Sequence, residues 1–196
     1  MKLYLVRHGQ SQGNVDKTIY KTIPDNKIEL TTKGRLEATN AGSALIPLVD
    51  FTKPITMYHS SWKRAKDTSI LIKQSFSNIS YDIKNIECPL IHEHLYYSNS
   101  EVGAIVEYVP YEEGRDFGPF WYQKNGTNIE TYSSMYHRAM TFWNHIRLSH
   151  NNTETIIVVA HGVYLKVLEM VIKQLSIEEY EKLKNFDNCE IRMIEV

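Results

Sequence analysis

Three short stretches carry the residue types that could do chemistry. Lys2-Leu3-Tyr4-Leu5-Val6 is a run of mostly apolar, β-prone residues. It ends in Arg7-His8 and a polar loop containing Gly9 and Gly13. Ile55-Thr56-Met57-Tyr58 is a second such run; after His59-Ser60-Ser61 it gives way to a helical pattern with Arg64 in its first turn. Ile156-Ile157-Val158-Val159-Ala160 is the clearest strand in the chain and stops at His161-Gly162. Singly, each junction also reads as an ordinary turn with a structural histidine. Together, in a parallel sheet, they share one edge, the edge at which α/β proteins bind ligands. Two guanidiniums and two imidazoles there would form a pocket for a small phosphate ester, because arginine forks match phosphate oxygens in bidentate geometry.

Other chemistries fit less well. A metal site lacks support, since the chain has no His-Glu-x-x-His or paired-cysteine spacing and flanking arginines would repel a cation. His92-Glu93-His94 is the only close pair of imidazoles near a carboxylate in the middle of the chain, and two-residue spacing is thin evidence for a ligand set. There is no Gly-x-Ser-x-Gly elbow and no Walker-type glycine loop with lysine. With 22 basic and 23 acidic residues the formal net charge is -1, which argues against nucleic acid as a partner. Cys88 and Cys189 form no disulfide framework and suit a reducing compartment. No apolar run approaches the ~18 residues of a membrane span or makes a signal peptide, so a cytoplasmic protein with no membrane partner is expected.

The elements that must position these residues alternate between strand and helix, which implies an α/β three-layer αβα sandwich, a mostly parallel central sheet with helices on both faces. No linker, repeat or low-complexity tract divides the 196 residues, so a single domain over 1–196 is expected. Pro24-Asp25-Asn26 marks a turn. Helices are expected over Thr31 to Leu48, ended with the help of Pro47, over Trp62 to Phe76, over Glu130 to Ser149 and over Val163 to Leu175. Ser176-Ile177-Glu178-Glu179 fits a capping box opening a last short helix. Further strands are expected near Tyr81 to Ile86 and from Glu190 to Val196. Residues 93–131 hold no sustained period and are rich in aromatics and glycine, which reads as an irregular insertion covering the site, with a short helix from Glu101 to Val109.

Arg7-His8-Gly9 with Ser11 and Asn14 resembles the signature of the histidine phosphatase superfamily, in its phosphoglycerate-mutase-like branch. The resemblance spans nearly the whole chain. Leu30-Thr31-x-x-Gly34 with Ala38, Ser60-Ser61-x-x-Arg64-Ala65-x-x-Thr68, Ala160-His161-Gly162 and Asn188-Cys189-Glu190-Ile191 are similar to its later segments. The resemblance implies phosphoryl transfer through a phosphohistidine. His8 would be the nucleophile, neutral when it attacks, with its other ring nitrogen donating to a backbone carbonyl. Arg7, Arg64 and His161 would hold the phosphate oxygens, and Asn14 would add a neutral donor. The Gly9 and Gly162 backbones would allow close approach. Ser11 is either a further phosphate contact or a loop cap.

A carboxyl group is then needed to protonate the leaving alkoxide. The family's Leu-x-Glu context is best matched by Leu90-Ile91-His92-Glu93, which makes Glu93 the candidate; Glu101, Glu112 and Glu113 are alternatives. The chain departs from the family where Tyr97 replaces an expected glycine and where Ile129-Glu130-Thr131 replaces Gly-Glu-Ser. Its shortness resembles single-domain phosphatases, so hydrolysis of a small phosphorylated metabolite is the expected activity, with phosphoglycerate mutase chemistry as the alternative. A non-catalytic phospho-ligand or protein-binding module is the competing class, disfavoured because both histidines and both arginines are kept. No cofactor is required, no metal is expected, and self-association is common among relatives of this kind.

Overall fold

The computed structural model describes residues 1–77, 83–94 and 130–196. Five strands form one sheet: β1 (Lys2–Arg7), β2 (Ile55–His59), β3 (Lys84–Glu87), β4 (Thr155–Ala160) and β5 (Ile191–Glu195), in the spatial order β3-β2-β4-β1-β5. β1, β4, β2 and β3 run parallel, and β5 is an antiparallel edge strand beside β1. The helices are the single turn α1 (Gln12–Val15), α2 (Thr32–Leu45), α3 (Lys63–Ser75), α4 (Tyr132–Ser149), α5 (Gly162–Lys173) and the short α6 (Ile177–Lys182).

The alternation of side chains along the central strands creates two cores. Leu3, Leu5, Ile156, Val158 and Ala160 face one side, where they meet Met135, Ala139, Phe142 and Ile146 of α4 and Leu165 and Leu168 of α5. Tyr4, Val6, Ile55, Met57, Ile157 and Val159 face the other, where Ala41 and Leu45 of α2 and Ile72 of α3 cover them. Every residue of β4 is buried. That explains why its apolar run is continuous rather than alternating, the pattern of a strand covered on both faces. Each large aliphatic side chain sealed in this way contributes about 2 kcal/mol. The architecture is the three-layer αβα arrangement with a mainly parallel sheet.

Boundaries moved where local pattern was thin. α2 stops at Leu45, and Pro47 lies in a following 3₁₀ turn, Ile46–Leu48, because a ring without an N–H is tolerated in a first turn. α4 begins at Tyr132, after Thr131 has capped it by accepting from the Ser134 N–H at 3.0 Å. α5 ends at Lys173, with Gln174 in a left-handed conformation. β3 occupies Lys84–Glu87; the first two residues of the expected strand, Tyr81 and Asp82, lie outside the described residues. The predicted helix at 101–109 and most of the 93–131 insertion lie outside the described residues.

The register sets the site. Arg7 lies opposite Ala160, and His59 lies opposite Val159. The ladder then continues one residue past each strand: the His8 N–H donates to the Ala160 carbonyl at 2.9 Å and the Ser60 N–H to that of Val159 at 3.1 Å. His8, Ser60 and His161 are thereby side by side at the carboxyl edge of three adjacent parallel strands.

The loop after β1 is held by a backbone contact that only glycine permits. A Cβ on Gly34, in the first turn of α2, would stand 2.0 Å from the Gln10 carbonyl oxygen, and one on Gly9 would stand 2.3 Å from that of Gly34. Neither backbone is free to yield, because the Thr31 N–H also donates to Gln10 O at 2.9 Å. Gly34→Ala is therefore expected to destabilise the fold by about 3 kcal/mol, at the upper end of overpacking costs. This would appear as a fall of about 10 °C in the thermal unfolding midpoint.

Candidate active site

His8 is buried, 3% exposed, and both of its ring nitrogens are engaged. Nδ1 lies 2.7 Å from the Gly9 carbonyl oxygen, which can only accept, so Nδ1 carries the proton. The Arg64 Nε–H donates to Nε2 at 3.1 Å, so Nε2 carries the lone pair. Two neighbours of opposite character thus fix one neutral tautomer with its unprotonated nitrogen facing a guanidinium. Burial, then the charges of Arg64 and Arg7, push His8 well below the usual imidazole range, against the opposing pull of the Gly9 carbonyl.

His161 is fully buried and lies edge-on to His8, with ring centroids 5.2 Å apart. Its Nε2 is 2.9 Å from the Ser60 hydroxyl. That hydroxyl also accepts from the Trp62 N–H at 3.2 Å and has one hydrogen to give; given to Nε2, it places the imidazole proton on Nδ1. Nδ1 has no hydrogen-bond partner among the described residues, and neither has Arg7 Nε. Buried donors without partners are rare, and two on the walls of one pocket suit a site that takes an anion. Burial and then the Arg64 charge also push His161 well below its ordinary value, which favours its neutral form.

Arg7 is anchored at one end, where Nη1 donates to the Phe186 carbonyl at 2.6 Å. A Cβ on Gly162 would come within 3.3 Å of Arg7 Nε, so the bare backbone there leaves the guanidinium its room. Arg64 is only 4% exposed, although its place in the α3 pattern lies off the apolar stripe. Its guanidinium carbon lies 4.8 Å above the Trp62 ring. Thr68 ties the two motifs together, accepting from the Gly9 N–H at 3.1 Å and donating to the Arg64 carbonyl at 2.7 Å.

Asn14 accepts three hydrogen bonds on Oδ1, from the Ser11 N–H and hydroxyl and from Asn188 Nδ2, at 2.9, 3.0 and 3.2 Å. This fixes the amide so that its NH₂ group points away from them. The Ser11 hydroxyl is engaged inside the loop by this bond. Asn188 also donates to the His8 carbonyl at 3.1 Å, clasping the end of β1 from the C-terminal segment.

Glu93 follows a 3₁₀ turn, Pro89–Ile91, and turns its carboxylate inward against the start of α5. Oε1 accepts from the His94 N–H at 2.9 Å and the Tyr164 N–H at 3.1 Å, and Oε2 from the Val163 N–H at 3.5 Å. Burial raises its pKa above the usual carboxylate value, opposed by these donors and by Arg64. The segment is pinned by Arg138, which donates to the carbonyls of Leu90 and His92 and forms a two-pronged ion pair with Glu130 at 2.9 and 2.8 Å. The candidates Glu101, Glu112 and Glu113 lie outside the described residues.

The structure thus brings His8, Arg64 and His161 into one pocket, with Arg7, Asn14, Glu93 and Gly162 around it. Sequence reasoning missed two supports. Ser60 was visible in the second motif but gave no sign that it orients His161, and Asp25 was visible only as a turn. Among the described residues no group of three or more His, Cys, Asp or Glu side chains is placed to hold a metal ion, and no helix is long and apolar enough to cross a membrane.

The model of the histidine phosphatase superfamily (branch 1) matches residues 3–196. The chain belongs to that family. A phosphoglycerate mutase-like protein of Arabidopsis thaliana is 30% identical over 209 residues, covering 100% of this chain, which spans 65% of that relative's length. A metal-independent phosphoserine phosphatase of Arabidopsis thaliana is 26% identical over 184 residues, 89% of this chain and 70% of that protein. Among solved structures, a mycobacterial glucosyl-3-phosphoglycerate phosphatase in complex with VO₃ superposes with a TM-score of 0.73 over 98% of this chain and 90% of its own, at 16% identity. In this histidine phosphatase superfamily member, the family-like segments around His8, Arg64, His161 and Asn188, dispersed along the chain, meet at one sheet edge.

Proposed function

We propose that the protein hydrolyses phosphomonoesters of small metabolites through a phosphohistidine on His8. One observation carries this proposal: the in-plane lone pair of the His8 ring, at Nε2, faces the Arg64 guanidinium among buried donors at the sheet edge. Nε2 attacks phosphorus, the bond to the leaving oxygen breaks, and the Glu93 carboxyl gives that oxygen its proton. Water then attacks the phosphohistidine, Glu93 takes up a proton from it, and the P–N bond breaks to release phosphate and restore the ring. Arg7, Arg64 and the His161 Nδ1–H stabilise charge on the transferring group. Asn14 supplies a neutral donor through its free NH₂ group.

The upward push on the Glu93 pKa fits this work, because it favours the protonated form that acts as acid before the carboxylate acts as base. The family match from residue 3 to 196 supports reading the chain as one domain. Cys88 and Cys189 are both free thiols, which fits a reducing, cytoplasmic setting. A mutase would use the same pocket and return the phosphoryl group to the sugar acid, and the mutase-like relative keeps that alternative in view. A phosphate-release screen over a panel of monoesters, run beside a coupled assay on 3-phosphoglycerate, separates the two. The expected result is phosphate release from several esters with little 2-phosphoglycerate formed. Efficient 2-phosphoglycerate formation with little phosphate release would overturn hydrolysis as the activity.

A further inference from the structure

Arg64 is gripped from a direction that the phosphate chemistry does not require. Asp25 opens a short 3₁₀ turn, Asp25–Lys27, 39 residues before it in the chain. Arg64 Nη1 donates to the Asp25 carboxylate at 2.7 Å and to the Asp25 backbone carbonyl, also at 2.7 Å. Two acceptors on one nitrogen use both of its hydrogens. The pair is enclosed, with side chains 4% and 12% exposed, so it is screened far less than a surface ion pair. Trp62 supports the face of the same guanidinium, and His8 Nε2 takes the hydrogen on Nε.

The planarity of the group decides what this grip achieves. A guanidinium offers two parallel hydrogens along the edge formed by Nε and the outer nitrogen Nη2, the fork that meets two oxygens of a phosphate. Asp25 holds the opposite end, Nη1, and Nε–H points at His8. The fork therefore lies at Nε2, and when a phosphoryl group takes that lone pair the Nε–H passes from Nε2 to a phosphoryl oxygen beside Nη2. Without the Asp25 carboxylate, a side chain with about 2 kcal/mol of rotamer entropy would be held by the Trp62 face, the His8 ring and one backbone carbonyl, with no opposite charge at its Nη1 end.

We infer that Asp25 is a positioning residue, which holds one end of Arg64 so that its Nε/Nη2 fork is aimed at the phosphoryl group on His8. This rests on the phosphatase reading of the pocket, because it takes Arg64 as a phosphate ligand. Asp25 touches no reacting atom in the inference and acts only through Arg64.

The test measures inhibition by orthovanadate, and kcat and KM for para-nitrophenyl phosphate, in four proteins: wild type, Asp25→Ala, Asp25→Ser and Asp25→Asn. Loss of a hydrogen bond to a charged group inside the pocket is expected to weaken vanadate binding and raise KM by about tenfold or more in the alanine and serine variants. Serine keeps a polar group in the turn and guards against a fold that does not tolerate alanine. Asparagine keeps the acceptor oxygen and is expected to stay within about threefold of wild type. In an Arg64→Ala background, Asp25→Ala is expected to add no further loss of vanadate affinity, since the residue it positions is gone. An equal further loss there would overturn the inference by showing that the turn matters in itself. So would vanadate binding unchanged by both alanine and serine. A wild-type protein that fails to bind vanadate would instead remove the phosphate-site reading on which the inference stands.

Discussion

Replacing His8 by alanine is expected to lower kcat on any phosphomonoester by at least about 10⁴-fold and to abolish acid-labile incorporation of phosphate into the protein. The size of the effect follows from the absence of a substitute. His161 is the nearest imidazole, but its Nε2 is committed to Ser60 and its ring stands edge-on, 5.2 Å from His8 between centroids. Lowering the His8 pKa far below the imidazole range keeps Nε2 unprotonated beside two arginines, so the wild-type nucleophile needs no base to activate it. The fold should survive the change. The backbone bond from His8 N–H to Ala160 O is independent of the side chain, and removing a ring that must stay neutral beside two cations relieves a conflict. Rapid quench with labelled substrate, read beside a thermal melt, checks both halves. Turnover at the wild-type rate in a well-folded His8→Ala protein would refute the phosphohistidine mechanism.

How far this pocket was legible beforehand depends on which interactions are local. β1 and β4 announced themselves because strands buried on both faces must be continuously apolar, and the polar residues that interrupt such runs stand out at the sheet edge. His8 and His161 were readable for that reason. Arg64 was readable through the residues around it, but its depth was not. Third in a helix pattern and off its apolar face it looks like a solvated cation, and Trp62 beneath it with Asp25 and His8 beside it make a buried guanidinium tolerable.

Asp25 itself was legible as a turn and no more. Pro-Asp-Asn reports local backbone preference, whereas its partner is chosen by the packing of α3 against a loop far away in sequence. The same holds for Ser60 and for Asn188, whose contacts cross 101 and 180 residues respectively. β3 was hard to bound because four residues of mixed exposure carry little periodic signal. The antiparallel direction of β5 follows from a C-terminal segment that wraps around the end of β1. Cys189 sits there at a φ of 54° and donates to the Arg7 carbonyl at 3.1 Å.

Glu93→Gln is expected to separate substrates by their leaving groups. An alkyl phosphate expels a strongly basic alkoxide that needs a proton, so its first turnover should slow by about 10²- to 10⁴-fold. Para-nitrophenolate leaves without one, so its first turnover should stay within about tenfold of wild type. Breakdown of the phosphohistidine still needs a base for water. The variant should therefore release one equivalent of nitrophenol in a burst and then turn over slowly, with phosphoenzyme accumulating. Glutamine suits the site, because its oxygen can keep the bonds from the His94 and Tyr164 N–H groups, and only the weaker 3.5 Å contact from Val163 meets a donor instead.

The pH dependence should change in the same experiment. Wild-type chemistry on an alkyl ester needs His8 unprotonated and Glu93 protonated. Burial and the two arginines move the His8 limit to lower pH, and burial moves the Glu93 limit to higher pH than an exposed carboxylate would show. The rate should therefore fall on the alkaline side as Glu93 loses its proton, and fall on the acid side as His8 gains one. In Glu93→Gln the alkaline limb belonging to the carboxyl should vanish while the acid limb remains. If both substrates instead lost the same factor in the first turnover, Glu93 would be a cap for α5, and the proton donor would have to come from elsewhere in the 93–131 segment.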